Sequence, residues 1–201
     1  MRLYSMPSSG NSYKVRLLLA LLGRDCPVVD VEYLSPALER ARAEGRLPFG
    51  KAPVLEFDDG RLLAESNAIL IWLGEGTRFV PADPFDRAAM LSWMFWEQNQ
   101  HEPVIAVRAA LSSYPHRRAE ASPARMAELL DRGQALLGIM DARLRTRDWL
   151  AGDGPSLADI CLYPYTHDAG PRGGFDMARL AGVNRWLDRV AALPGHRGID
   201  A

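Results

Sequence analysis

The segment from Leu47 to Gly60, Leu-Pro-Phe-Gly-Lys-Ala-Pro-Val-Leu-Glu-Phe-Asp-Asp-Gly, constrains this chain more than any other. Pro53 stands at the entrance of a strand that otherwise looks buried. Proline has no N–H to give to a ladder, so it belongs at strand starts, edges and bulges. Asp58-Asp59-Gly60 then supplies turn chemistry between Val54–Phe57 and Arg61–Ala64, which reads as a hairpin. Glu65 and Ser66 follow directly, and Ser66 is placed to cap a helix running through Trp72 and Leu73.

The residues before that hairpin complete a small α/β pattern. Leu3 to Met6 reads as a strand that ends at Pro7, followed by a small polar loop to Ser12. Val15, Leu18, Leu19 and Leu22 keep the spacing of one helix face, and Gly23 is a natural stop. The β-branched run from Val28 to Tyr33 predicts a second strand, and Ala37 to Glu44 a weak, charged helix. The order β-α-β-α-β-β-α suits a thioredoxin-like sheet with a βαβ crossover and a terminal hairpin.

From Gly74 to Pro84 the chain is rich in Gly, Pro and Asp, as a linker would be. Beyond it the pattern is helical. Phe85 to Ser112 reads as one long helix or a pair kinked at Pro103. Ser122-Pro123 starts a helix whose apolar positions run from Met126 to Leu144. Ser156-Leu157-Ala158-Asp159 has capping-box logic and opens a helix through Tyr163 that Pro164 ends or bends. Val183 to Ala192 is a last amphipathic helix. The expected architecture is thus an α/β domain over residues 1–76 and an all-α domain over 85–201.

Composition narrows the function classes. Apolar residues make up 48%, enough for an ordinary globular core. The 24 Lys+Arg nearly cancel the 25 Asp+Glu, which argues against nucleic-acid or membrane-surface binding driven by bulk charge. Cys26 and Cys161 lie far apart in no metal-like spacing, so both read as small core thiols in a reducing cytoplasm. No apolar run reaches the length of a membrane span.

Three stretches together carry a family resemblance: Ser9 to Gly23, Gly50 to Leu73, and Asp148 to Asp159. Their order and spacing resemble the glutathione S-transferases over essentially the whole chain. Ser9-Gly10-Asn11-Ser12-Tyr13-Lys14-Val15-Arg16 is most similar to bacterial and zeta- or theta-type members, in which a serine begins the first helix. Trp149-Leu150-Ala151-Gly152 ahead of the Ser156–Asp159 box is similar to a folding motif of the family's second domain.

The resemblance implies a function and a site. Glutathione is the expected co-substrate, a small hydrophobic electrophile its partner, and a homodimer the expected assembly. The electrophile would sit between the domains. Ser9 occupies the place of a hydroxyl that donates a hydrogen bond to the glutathione sulfur; its plain alternative is a helix cap. A free thiol titrates near 8.5, so a donor and a helix N-terminus are needed to favour the thiolate at neutral pH. Asn11 is the rival donor through its amide N–H, with Ser8 and Ser12 behind it. Glu65 and Ser66 match the pair that holds the γ-glutamyl end, Glu65 for the ammonium and Ser66 with the helix N-terminus for the α-carboxylate. Pro53 is expected to be cis, aiming the backbone of Ala52 at the tripeptide, and Lys51 to reach the glycine carboxylate.

Other singled-out residues read as structural. Tyr4 is expected to pack in the core, Asp159 to cap its helix, and Trp93, Phe95 and Trp96 to be mostly core. His101-Glu102 is too weak a pair to imply a metal. Leu47 departs from the family, where many relatives keep Asn. Alternatives left open are a non-catalytic glutathione-binding or regulatory protein, a glutathione-dependent isomerase and a peroxidase. A cysteine-based oxidoreductase is disfavoured, because no cysteine lies near the first helix start.

Overall fold

The computed structural model describes residues 1–200. Four strands, β1 (Arg2–Ser5), β2 (Val28–Asp30), β3 (Val54–Glu56) and β4 (Leu62–Ala64), form one mixed sheet in the order β2-β1-β3-β4. β1 pairs parallel with β2 and antiparallel with β3, and β3 pairs antiparallel with β4. α1 (Gly10–Leu21) makes the β1-to-β2 crossover, α2 (Pro36–Ala43) joins β2 to β3, and α3 (Ser66–Gly74) follows β4. This is the expected thioredoxin-like order.

Strand alternation divides the core between the two faces of the sheet. Tyr4 and Val54 pack with Val31, Leu47 and the α2 residues Leu38 and Ala41. Leu3 and Leu55 are one residue out of phase and fully buried on the opposite face, and α3 packs against both β3 and α1. β2 ends at Asp30 rather than Tyr33, because Glu32 turns to bond Ser8 instead of extending the ladder.

The helical part comprises α4 (Pro84–Trp96), α5 (Glu102–Ser113), α6 (Pro123–Leu144), α7 (Leu157–His167) and α8 (Ala181–Ala191). The stretch expected over 85–112 as one long helix or a pair kinked at Pro103 is helical without a break, and its irregularity precedes Pro103. A π-helical turn spans Glu97–His101 and buries both end residues, and Pro103, which has no N–H to give, follows directly in the first turn of α5. α7 runs on through Pro164 to His167, because the flanking Ile160, Leu162 and Thr166 are all buried and hold the helix in place.

Asp141 on α6 accepts from the first N–H groups of α8, Gly182 at 2.7 Å and Val183 at 3.2 Å. Gly182 has to be glycine there: a Cβ would lie 2.8 Å from the Asp141 carbonyl oxygen. The capping box is present, with Asp159 fully buried.

Two compact units result. Residues 78–192 form the helical unit, while residues 193–200 fold with residues 1–77 rather than with the helices that precede them. Phe95 is 65% exposed, against the expectation that the aromatic cluster is mostly core. Cys161 is buried as expected, but Cys26 is only partly covered. No helix is long and apolar enough to cross a membrane.

Candidate glutathione site

The site is built where two helices begin. Ser9 is the N-cap of α1, and its hydroxyl accepts from the Ser12 N–H at 3.4 Å. An accepting hydroxyl keeps its own proton for donation. The Ser12 hydroxyl in turn accepts from the Met6 N–H at 3.0 Å. The loop between β1 and α1 is therefore closed on itself before any ligand is considered.

Ser66 does not cap α3 as expected: Glu65 holds the N-cap position with no side-chain capping bond, and Ser66, 5% exposed, is the first residue of the helix because its hydroxyl is turned to Asn11. Its hydroxyl donates to Asn11 Oδ1 at 3.1 Å. One hydrogen bond thus joins the first turns of α1 and α3, and sets the expected γ-glutamyl residue beside an expected thiol donor. Each helix start presents N–H groups that have no partner within the helix, and carries the positive end of its dipole. Two such ends side by side favour an anionic ligand.

Glu65, just ahead, is exposed and adopts φ 70 and ψ 115. A side chain with a Cβ disfavours positive φ, at a cost of roughly 1–3 kcal/mol. That strained corner turns the chain sharply from β4 into α3. The sequence carries no sign of it, since glutamate is not a residue that seeks this backbone region. Pro53 is buried, the Ala52–Pro53 bond is cis as expected, and Lys51 is exposed at the strand entrance.

Sequence reasoning missed the residues that hold the Ser9 loop. Glu32, just past β2, accepts from the Ser8 N–H at 3.0 Å and the Ser8 hydroxyl at 2.7 Å. Burial alone would raise the Glu32 carboxyl. The two bonds from Ser8, one from the Tyr33 N–H and the nearby Arg16 guanidinium outweigh it and hold Glu32 below the usual carboxylate range. Arg16 on α1 donates to Ser5 Oγ at 2.7 Å and to the Pro7 carbonyl at 3.0 Å. Neither pairing had a local signal, because each joins residues far apart in the chain.

Tyr4 is a core residue, and its hydroxyl donates to Glu56 at 3.2 Å. His101 is buried in the helical unit, where Thr166 Oγ1 lies 3.1 Å from its Nε2. Among the described residues, no group of three or more His, Cys, Asp or Glu side chains is placed to hold a metal.

A thioredoxin-like α/β unit with paired helix starts, followed by an all-helical unit, defines a recognisable class of two-part proteins. The family model "Glutathione S-transferase, N-terminal domain" matches residues 3–78, and "Glutathione S-transferase, C-terminal domain" matches residues 123–189. A glutathione S-transferase structure from Xanthobacter autotrophicus aligns with a TM-score of 0.90 and 41% identity, covering 98% of this chain and 96% of that one. Maleylacetoacetate isomerase of Rhizobium meliloti is 31% identical over 98% of this chain and 88% of its own length. The disulfide-bond oxidoreductase YfcG of Escherichia coli is 28% identical over 96% and 90%. The chain belongs to the glutathione S-transferase family.

Proposed function

We propose that this protein is a glutathione transferase that activates the glutathione thiol and directs it at a small hydrophobic electrophile. The observation that carries the reading is the Ser66–Asn11 hydrogen bond, which sets two helix N-termini over one patch of the α/β unit. Glutathione brings two carboxylates and, when activated, a thiolate, and the paired helix starts suit these anionic groups.

In this reading the Ser66 N–H and the other first N–H groups of α3 take the α-carboxylate of the γ-glutamyl group, the Ser66 hydroxyl having given its one proton to Asn11, and Glu65 takes the ammonium. The Ala52 backbone beside Pro53 pairs with the peptide, and Lys51 meets the glycine carboxylate. Ser9 donates its hydroxyl proton to the sulfur, with the Asn11 amide as the second donor. A donor to the anion lowers the thiol pKa, so more thiolate is present to attack an electrophilic carbon. The family usually works as a homodimer in a reducing cytoplasm, and we carry both to this chain.

The test is turnover of glutathione with an aryl halide, an epoxide and an organic hydroperoxide, run beside calorimetric glutathione binding. Binding with conjugation supports the transferase. Binding without turnover makes it a regulatory binder, and turnover of the hydroperoxide alone makes it a peroxidase. An absence of binding defeats the reading.

The relationship to a disulfide-bond oxidoreductase supports a second reaction. Neither cysteine lies at the candidate site: Cys26 is in the α1–β2 connection and Cys161 is on α7. Any thiol–disulfide chemistry would run between glutathione molecules, as the relationship to a disulfide-bond oxidoreductase suggests. The bound thiolate would attack a disulfide, form a mixed disulfide and release one thiolate. A second glutathione thiolate would then displace the other half, leaving glutathione disulfide. Glutathione-dependent reduction of a small disulfide, surviving Cys26→Ser and Cys161→Ser, is the expected result.

A further inference from the structure

The Arg16 side chain donates four hydrogen bonds beside the candidate site, and none of the expected roles uses it. Its Nη1 donates to Ser5 Oγ at 2.7 Å and to the Met6 carbonyl at 3.4 Å. Its Nη2 donates to the Pro7 carbonyl at 3.0 Å and to the Ile199 carbonyl at 3.0 Å. Three of these acceptors belong to the chain leading into Ser8 and Ser9. The fourth belongs to the segment that follows α8.

That segment is seated on α1 at two further points. Tyr13, one turn before Arg16, donates its hydroxyl to the Arg197 carbonyl at 2.7 Å. Gly195 has φ 86, and a Cβ there would stand 2.8 Å from the Ala20 carbonyl oxygen. Only a residue without a side chain brings the two backbones this close. Residues 193–200 therefore lie along α1, pinned at Ala20, Tyr13 and Arg16 in turn.

We propose that residues 193–200 are a strap that acts through Arg16 to set the position of the Ser8–Ser9 loop. The physical case is that one planar guanidinium serves both partners. Its fork fixes the directions of its donors, so a guanidinium held at Ile199 is also held toward Ser5, Met6 and Pro7. Releasing the strap frees the fork to turn toward water. The loop then keeps its own bonds to Ser12 and the grip of Glu32 on Ser8, but loses the guanidinium that fixes Ser5, Met6 and Pro7 from the α1 side. Arg16 is a positioning residue: it acts on the thiol through the loop that carries Ser9. This consequence rests on the thiol-activating reading of Ser9 and Asn11; the strap itself does not.

Three variants test it in the full-length protein. Gly195→Val lifts the strap by its own bulk and strained backbone. Arg16→Lys keeps the charge but loses the fork. Tyr13→Phe removes a single pin and guards against misfolding of the other two. The first readout is amide hydrogen exchange without ligand. Gly195→Val should speed exchange across 193–200 and also at Met6 and Ser9, whose N–H groups bond Ser12 Oγ and the Met6 carbonyl. The second readout is ultraviolet titration of bound glutathione. Gly195→Val and Arg16→Lys should each raise the thiol pKa by about half a unit or more, roughly a threefold loss of thiolate at neutral pH. The double variant should do no worse than the stronger single one, because both act on one device. Tyr13→Phe should move both readouts in the same direction by less.

A strap that exchanges freely while Met6 and Ser9 stay protected overturns the proposal. So do fully additive effects of the two variants on the titration. If exchange behaves as stated but wild-type glutathione titrates at its free value, the strap stands and the thiol-activating reading fails.

Discussion

Asp159 gives the sharpest stability test in the molecule. It is fully buried at the third position of α7. Oδ1 accepts from the Leu150 N–H at 3.0 Å and from Trp186 Nε1 at 2.8 Å. Oδ2 accepts from the Ser156 N–H at 2.8 Å and the Ser156 hydroxyl at 2.9 Å. Burial raises this carboxyl, and the four donors act against that rise. Asp159→Ala strands three donors that cannot turn away; only the hydroxyl can rotate. At ~1–3 kcal/mol for each buried donor without a partner, the loss is at least ~3 kcal/mol. That is a large fraction of the ~5–15 kcal/mol typical of whole domains. Asp159→Asn behaves differently. Its amide oxygen can keep Leu150 and Trp186 while its NH2 faces Ser156, whose hydroxyl rotates to accept. One fixed donor is lost, so the cost is ~1–3 kcal/mol. Urea unfolding followed by tryptophan fluorescence measures both, provided the slope is unchanged. An Ala variant within ~1 kcal/mol of wild type, or an Asn variant as damaged as Ala, would refute the four-donor account. Should the Ala variant not fold, the Asn variant still carries the comparison.

The other predictions concern the candidate site and one helix cap. Glu65→Gly relieves the backbone at φ 70 and removes a carboxylate, so stability should hold or rise by up to ~1 kcal/mol. Glutathione affinity should fall about tenfold or more, from the loss of a charge-assisted bond, as calorimetry would show. Ser9→Ala should raise the pKa of bound glutathione and lower turnover with little change in binding. If Asn11→Ala alone moves the titration, the amide is the donor and Ser9 only caps α1. Asp141 should show in acid. Burial opposes its ionisation, but Arg145 and the Val183 and Gly182 N–H groups outweigh that and lower its pKa. A carboxyl lowered on folding stabilises above its unfolded value near ~3.9, and that contribution is lost as pH falls through the folded value. Asp141→Asn should therefore cost ~1–2 kcal/mol at neutral pH and progressively less below about pH 4, with urea midpoints across pH as the measure.

Local chemistry fixed much of this protein in advance. Apolar spacing placed α1 and α6, turn residues placed the β3–β4 hairpin, and Ser66, Ser122 and Ser156 marked helix starts within a residue or two. Each signal is legible because it acts over a few residues, through backbone N–H groups, φ preference or side-chain period. The irregular turn before α5 was less legible. Pro103 is visible in the sequence, but the π-helical turn at 97–101 depends on what the surrounding core accepts, and that is a property of packing.

The same limit divides the site. Ser9, Asn11, Glu65 and Ser66 were legible as candidates, each from its place beside a strand or helix end. What joins them was not. The Ser66–Asn11 bond, the Glu32 grip on Ser8, the strained Glu65 and the four acceptors of Arg16 exist only once distant segments meet. The return of residues 193–200 to α1 is the plainest case. It depends on Gly195 fitting against Ala20, a contact across 175 positions that no local pattern encodes. A sequence states which groups are available and what each neighbour allows. Directional bonds between remote groups are decided by close packing, which brings to within ~3 Å atoms that the chain itself holds far apart.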